Sequence, residues 1–269
     1  MQFIFAAIMI DEKERAVQKA LRKLSAKVGK TLFQQNMLED NDKVLIGLSG
    51  GKDSYALLEA LADRRKHLPF KIEIIATHIA YDNVGYKIDT DYMQRLCDSL
   101  AIPFFLIQGE VDLQQAPDKS ACFVCSWFRR KQLFAFAKDN NCNKLALGHH
   151  LDDAVQTMLM NQIWHGSFSS LPFKLKMFDG RMHLIRPMLE LREEEIVAYT
   201  SLRDFPASIS NCPYDKETIR QNVRDLIAHI KTLTPGALKN MYRSMSHISF
   251  EYLPDTKTPT YHDQFGCLS

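Results

Sequence analysis

The six residues Ser49-Gly50-Gly51-Lys52-Asp53-Ser54 bring two glycines, two hydroxyls, a cation and a carboxylate into one short segment. Adjacent glycines let a backbone approach an anion closely, the two serines can donate hydroxyl hydrogen bonds, and a helix beginning there aims N–H groups at a phosphate. Asp53 is of the type that holds magnesium beside a nucleotide, where one or two carboxylates act together with phosphate oxygens. The spacing is not a Walker A loop, because three residues separate Gly47 from Gly51 and Lys52 is followed by Asp53. It also lacks the glycine spacing of a dinucleotide-binding fingerprint.

Thiol chemistry forms a second candidate. Cys122 and Cys125 make a C-x-x-C pair at the start of a predicted helix, a position that favours thiolate. A thioredoxin-like dithiol, half of a zinc site and part of an iron–sulfur site all fit this pair. No second C-x-x-C exists, and Cys212, in the polar turn Asn211-Cys212-Pro213, is the third candidate. Three cysteines with one ligand missing describe an iron–sulfur cluster that keeps one iron open. Cys97, Cys142 and Cys267 have no motif around them and read as ordinary thiols.

The elements that must position these groups alternate along the chain. A strand at Lys43 to Leu48 runs into the glycine loop, and a helix follows through Tyr55, Leu58 and Leu61. Further strands are predicted at 72–79, 104–107, 144–147 and 183–186, with helices around 89–100, 127–138, 152–163 and 192–202. Such alternation predicts a parallel sheet covered on both faces, with ligands beyond the carboxyl ends of its strands. Before it, Val17, Leu21, Leu24 and Val28 recur at helical spacing. After it, Ile219, Val223, Leu226, Ile227 and Ile230 form a helical stripe.

The totals, 34 Lys and Arg against 32 Asp and Glu in 269 residues with 46% hydrophobic residues, exclude disordered, collagen-like and disulfide-rich classes. The net charge of +2 demands no nucleic-acid partner, but seven Lys or Arg against three Asp or Glu between residues 11 and 30 give a local +4. Met1 to Ile10 is apolar, but no basic residue precedes it and no small-residue cleavage site follows; it reads as a short leader of a cytoplasmic protein. A start at Met9 would give a polar N-terminus, which N-terminal sequencing decides. No stretch reads as a membrane span.

Ser-Gly-Gly-Lys-Asp-Ser after a strand resembles the signature of the N-type ATP pyrophosphatases, or PP-loop enzymes. Further segments occur in the order found in the TtcA family of tRNA-cytidine 2-sulfurtransferases. They are Ala26-Lys27-Val28-Gly29-Lys30, Asn36-Met37-Leu38-Glu39, Cys122-Phe123-Val124-Cys125-Ser126 with Arg129-Arg130, Gly148-His149-His150-Leu151-Asp152-Asp153, and Ile185-Arg186-Pro187. This resemblance runs from about Ala16 to about Pro254. It implies an α/β fold, a Rossmann-like parallel sheet of the adenine nucleotide alpha hydrolase type with an N-terminal helix and a helical C-terminal region. It divides the chain into an N-terminal helical segment, 1–40, a PP-loop domain, 41–205, and a C-terminal extension, 206–269, carrying the third cysteine.

The resemblance implies ATP, magnesium and a 4Fe-4S cluster as cofactors, with Cys122, Cys125 and Cys212 as cluster ligands. Ser49, Gly50, Gly51, Lys52, Asp53, Ser54, His78 and Gly148 are then the expected ATP-binding residues, with Asp53 on magnesium. Lys52, Asp53 and Asp152 are the expected catalytic residues; Asp152 would hold magnesium or orient the nucleophile, against a plain reading as a helix N-cap. The expected reaction adenylates the C2 oxygen of a pyrimidine, cytidine 32 of the anticodon loop in this family, and replaces it with sulfur. Arg129, Arg130 and Lys131 are the expected tRNA contacts, joined by Arg220, Arg224, Lys231, Lys239 and Arg243, with Trp127 and Phe128 as stacking candidates. A sulfur donor such as a cysteine desulfurase and a second copy of the chain are the other expected partners, with no membrane. Residues 79–89 and 109–121 depart from better-known members, and the additional cysteine often found three residues before the third ligand is absent. The alternatives are an amidating ligase resembling tRNA-lysidine synthetase, which has no use for three cluster cysteines, and an adenine-nucleotide sensor using the C-x-x-C as a redox pair.

Overall fold

In a strand buried on both faces, alternate side chains serve two separate cores. Val44 and Ile46 of the first strand enter one apolar cluster, and Leu45 between them enters another. The computed structural model describes residues 2–81, 86–112, 121–207, 209–210 and 219–253. In chain order its elements are α1 (Gln2–Gln34), β1 (Asp42–Gly47), α2 (Lys52–Arg65), β2 (Ile72–Tyr81), β3 (Tyr86–Lys87), α3 (Thr90–Ser99), β4 (Phe104–Gly109) and α4 (Ala121–Asp139). They continue with β5 (Lys144–Ala146), α5 (Leu151–His165), β6 (Lys174–Met177), β7 (Met182–Ile185), α6 (Glu193–Thr200), β8 (Ile209–Ser210), α7 (Ile219–Leu233) and α8 (Ala237–Ser244).

Six strands form one sheet in the order β4-β2-β1-β5-β7-β6. The first five are mutually parallel; β6 pairs antiparallel with β7, Lys174 opposite Ile185 and Met177 opposite Met182. The expected parallel sheet is therefore extended by an antiparallel edge. Lys174 to Met177 is too short and too evenly mixed to announce a strand before its neighbour is known. A separate two-stranded ribbon pairs Tyr86 with Ser210 and Lys87 with Ile209. It ties the chain after β2 to the chain after α6.

The order of the large sheet reverses between β1 and β5. Chain from β1 moves outward through α2, β2, α3 and β4, then α4 carries it back across to β5. Such a reversal leaves a crevice beyond the carboxyl ends of the two central strands, the usual ligand position in open α/β sheets. Ser49 to Ser54 follows β1, and Gly148 to Asp153 follows β5. At the opposite end the register is fixed by polar contacts: Lys144, buried, lies 3.5 Å from Asp42, and Asn143 donates to Asp42 at 2.6 Å.

Leu24, Val28 and Leu32 of α1 belong to the same apolar cluster as α2 and the sheet. Residues 2–10, expected as a leader, are helical and continuous with α1. Neither glycine nor proline lies between Gln2 and Ala26, so nothing in the local sequence stops the helix. α4 packs on the other face of the sheet through Val124, Leu133, Phe134 and Ala137. A third cluster joins Leu151, Val155, Met158 and Leu159 of α5 to Val223 and Ile227 of α7 and Leu238 of α8. Leu226, expected in the α7 stripe, is 40% exposed, because a helix 3.6 residues per turn turns it away from Val223 and Ile227. No helix among the described residues is long and apolar enough to cross a membrane.

Candidate functional site

The loop after β1 is held by its own serines. Ser54 Oγ donates to the Gly51 carbonyl at 2.8 Å, Ser49 N–H donates to Ser54 Oγ at 3.3 Å, and Gly51 N–H donates to Ser49 Oγ at 3.3 Å. Gly50 has φ +84°, a left-handed conformation, and a Cβ there would collide with the Ile88 side chain. α2 starts directly after Gly51, so its first turn and positive dipole end face the loop. His78 is buried at the end of β2, with Nδ1 2.7 Å from the Leu48 carbonyl. Burial lowers its pKa below that of an ordinary histidine, against the opposing pull of that carbonyl, so the ring is neutral and clasps the strand leading into the loop.

Lys52 projects between two carboxylates, 3.1 Å from Asp53 and 3.0 Å from Glu193 Oε1. Burial pulls its pKa down, but Glu193 and Asp53 together outweigh burial and raise it, so the ammonium stays charged. Asp53 Oδ1 is buried and lies 3.1 Å from the Lys52 ammonium, so this oxygen already faces a cation. A carboxylate oxygen whose neighbour is a cation fits magnesium, which binds through few carboxylates in nucleotide sites.

Gly148 lies where the end of β5 touches the start of α2. A Cβ at Gly148 would come within 2.9 Å of the Asp53 carbonyl oxygen and 3.1 Å of its carbonyl carbon. Both are backbone atoms, so relief requires the phosphate loop itself to move. Gly148→Ala is expected to destabilise the protein by about 1–3 kcal/mol and to weaken ATP binding about tenfold; urea unfolding and nucleotide titration measure the two effects.

His150, not Asp152, is the N-cap of α5, and Asp153 in the first turn closes the cap, its Oδ2 accepting the His150 N–H at 2.9 Å. Asp152 instead serves the neighbouring helix: Oδ2 accepts the Glu193 N–H at the start of α6 at 2.9 Å, and Oδ1 meets Lys231 of α7 at 2.5 Å. Burial pushes the Asp152 carboxyl up, but hydrogen bonds from His150, Lys231 and the Glu193 N–H outweigh it and hold the group well below the usual carboxylate range. With both oxygens engaged, the arrangement suits orientation rather than a vacant metal position. Between the acids, His150 is raised above an ordinary histidine: burial opposes its charge, while Asp152, Asp153 and Asp53 favour it. His149 behaves oppositely, pushed down to about 4 chiefly by burial, and its Nδ1 lies 3.4 Å from Arg186 Nε.

Cys122 and Cys125 lie in the first two turns of α4, three residues apart and therefore on one side of the helix. Cys122 is exposed and Cys125 half-buried. Cys97 and Cys142 are buried, and burial pushes their thiols up to about 12 and about 11. The two thiols of α4 are donors suited to an iron–sulfur cluster, and among the described residues no group of three metal-binding side chains gathers elsewhere. Cys212 and Cys267 lie outside the described residues. The ribbon of β3 and β8 ends at Ser210, two residues before Cys212, and so anchors its chain to the segment following β2.

Arg129 stacks over the Tyr81 ring at the end of β2, 5.7 Å from the centroid. This connects the thiol-bearing helix to the carboxyl edge of the sheet. Arg130 and Lys131 are exposed on the same helix, and Lys131 lies 5.2 Å over the Trp127 ring. Partial burial lowers the Arg130 pKa first, and the nearby charge of Arg220 on α7 lowers it further. α4 and α7 therefore present cations to a common region. Trp127 and Phe128 pack edge to face with centroids 5.1 Å apart. Sequence reasoning did not single out Glu193; its only local mark is the acidic run Glu193-Glu194-Glu195 at a helix start.

Residues 15–229 match the PP-loop domain family. A tRNA-cytidine(32) 2-sulfurtransferase from Hahella chejuensis is 35% identical over 252 residues, covering 91% of this chain and 88% of the relative. The protein of the same name from Photobacterium profundum is 33% identical over 242 residues, covering 88% and 80%. Among solved structures, the U34-tRNA thiolase NcsA from Methanococcus maripaludis, with its 4Fe-4S cluster, matches with a TM-score of 0.72 at 26% identity. That match covers 88% of this chain and 81% of the thiolase.

Proposed function

Because the chain belongs to the PP-loop family, among the tRNA-cytidine(32) 2-sulfurtransferases, we propose that it is an ATP-dependent enzyme that replaces the C2 oxygen of cytidine 32 in tRNA with sulfur. The observation that carries this reading is the pairing of a phosphate-shaped loop at the reversal point of the sheet with two thiols on the helix that crosses back over it. A ligase would need the loop but not the thiols; an adenine-nucleotide sensor would use both, and what favours the sulfurtransferase over it is the likeness to tRNA-cytidine(32) 2-sulfurtransferases over nine-tenths of the chain.

The base oxygen attacks the α-phosphorus of ATP, forming an O–P bond as the bond to the β-phosphate breaks and pyrophosphate leaves. Sulfide then attacks C2, and the C2–O bond breaks with loss of AMP. An oxide ion is a prohibitively poor leaving group; adenylation converts it into a phosphate ester oxygen. Ser49, Gly50, Gly51 and Ser54 cradle the phosphates, and Lys52 offsets their charge. Asp53 would hold magnesium, while Gly148 allows the two loops to meet. His78 fixes the adenine side of the crevice by clasping Leu48. Asp152 orients the start of α6 over the loop. Cys122, Cys125 and Cys212 would hold a 4Fe-4S cluster, which would supply a binding place for the sulfide of the second step; a cysteine desulfurase as donor would pass sulfur on as a persulfide, and its release as sulfide would take two electrons from a thiol reductant.

Arg129, Arg130 and Lys131 with Arg220 and Arg224 follow the tRNA phosphates while the target base is splayed toward the crevice. About five such contacts predict a roughly hundredfold loss of tRNA affinity between 50 and 200 mM salt. Filter binding across that range tests it, and salt-independent binding contradicts this placement. The activity itself is tested with anaerobically purified protein, ATP, magnesium, sulfide and tRNA. The expected result is a brown protein that releases AMP and pyrophosphate in step with 2-thiocytidine; colourless protein that stays active with its cysteines replaced overturns the reading. A cytoplasmic enzyme, working as a homodimer, completes the proposal.

A further inference from the structure

Asp152 stands where three helix ends meet. Lys231, in the last turn of α7, reaches its Oδ1 at 2.5 Å, and the first N–H of α6, that of Glu193, reaches its Oδ2 at 2.9 Å. Lys231 also lies 3.3 Å from Glu194 Oε1, so one ammonium holds both the start of α5 and the start of α6. From α6 the Glu193 side chain extends to Lys52 of the phosphate loop at 3.0 Å. A continuous line of charge-assisted contacts thus runs from the C-terminal basic helix through Lys231, Asp152 and Glu193 to Lys52.

The docking of α7 itself does not depend on Lys231, since Val223 and Ile227 bury against Leu151, Val155, Met158 and Leu159. What Lys231 supplies is a counter-charge for a carboxylate only one-tenth exposed. Without it Asp152 keeps only His150, 3.7 Å away, and the Glu193 N–H, so its Oδ1 side must draw in water and its bond to the Glu193 N–H weakens. Glu193 then loses its fixed approach to Lys52.

We propose that Lys231 is a positioning residue for adenylation, holding Asp152 against the start of α6 so that Glu193 keeps Lys52 in place at the phosphate loop. This rests on reading the loop as the site of ATP cleavage. The basic helix carrying Arg220 and Arg224 is thereby linked to the nucleotide site through Lys231, which pairs with both Asp152 and Glu194.

The test uses the full-length protein and tRNA-dependent pyrophosphate release. Lys231→Met keeps the apolar stem and removes the charge; Lys231→Arg keeps the charge. For Lys231→Met the urea midpoint falls, because a buried carboxylate loses a counter-charge, but the protein stays folded under assay conditions, and tRNA affinity stays within about twofold, one of several phosphate-facing cations at most being lost. Turnover falls about ten- to a hundredfold while KM for ATP moves less than about threefold. Lys231→Arg recovers most of the turnover. Asp152→Asn gives a similar loss, and the double variant is no worse than the poorer single one, because both act through the same contact. Wild-type turnover in Lys231→Met overturns the proposal, as does a loss in which the urea midpoint, KM and tRNA affinity all move together. Absence of tRNA-dependent pyrophosphate release from the wild-type protein instead overturns the reading of the loop, and this inference with it.

Discussion

Replacing Cys122 or Cys125 with alanine is expected to lower sulfur transfer by roughly a thousandfold or more, about 4 kcal/mol of barrier, while tRNA-dependent pyrophosphate release survives. The two halves of the reaction are separable because the groups that serve them sit on different elements. The thiols lie on the first two turns of α4, whereas the phosphate loop is built by β1, α2 and the turn after β5. Cys122 is exposed and Cys125 half-buried, so neither substitution opens a large cavity. Cys142→Ala provides the contrast. Its thiol is buried and pushed up to about 11 by that burial, so its loss should cost about 1 kcal/mol of stability with sulfur transfer unchanged. Nucleoside analysis of the product together with a pyrophosphate assay checks both halves. Loss of pyrophosphate release in Cys122→Ala would mean that the thiols and the loop do not act in succession.

Lys52→Met is expected to do the reverse, lowering pyrophosphate release by about a hundred- to a thousandfold, the range seen when one preorganised electrostatic partner is removed. The side chain is held by carboxylates on two sides, 3.1 Å from Asp53 and 3.0 Å from Glu193. Its raised pKa keeps it charged wherever the protein is folded and active. Removing the charge leaves Asp53 and Glu193 facing arriving phosphates without compensation. Lys52→Arg should rescue poorly, since a planar guanidinium is longer and binds in a fixed fork. Single-turnover release of pyrophosphate measures the effect, and tRNA binding should be unaltered because Lys52 lies on the loop rather than on α4 or α7.

Much of this arrangement is legible in the chain itself. β1 running into Ser49 to Ser54, the alternation of strands and helices, and the C-x-x-C at a helix start are local patterns, and local patterns survive folding when burial agrees with them. Val44, Leu45 and Ile46 show why: three consecutive apolar residues satisfy two cores at once. The contacts that organise the site are of another kind. Lys52 and Glu193 are 141 residues apart in sequence, and Asp152 and Glu193 are 41 apart, so no spacing rule brings them together. An N-cap at Asp152 was a reasonable local reading, but the carboxylate one residue later captures the His150 N–H and frees Asp152 to cap α6. The antiparallel edge strand was hidden for the same reason: Lys174 to Met177 acquires its strand character from pairing with β7. The helical start of α1 needed no distant partner to be seen, only the recognition that an apolar beginning without glycine or proline continues the helix behind it.

Nucleoside mass spectrometry of tRNA from a strain lacking this chain tests the central claim most directly. The account predicts that 2-thiocytidine disappears, returns with the wild-type chain, and does not return with Cys122→Ala or Lys52→Met. Persistence of 2-thiocytidine, with loss of a different thiolated base or of none, would contradict it.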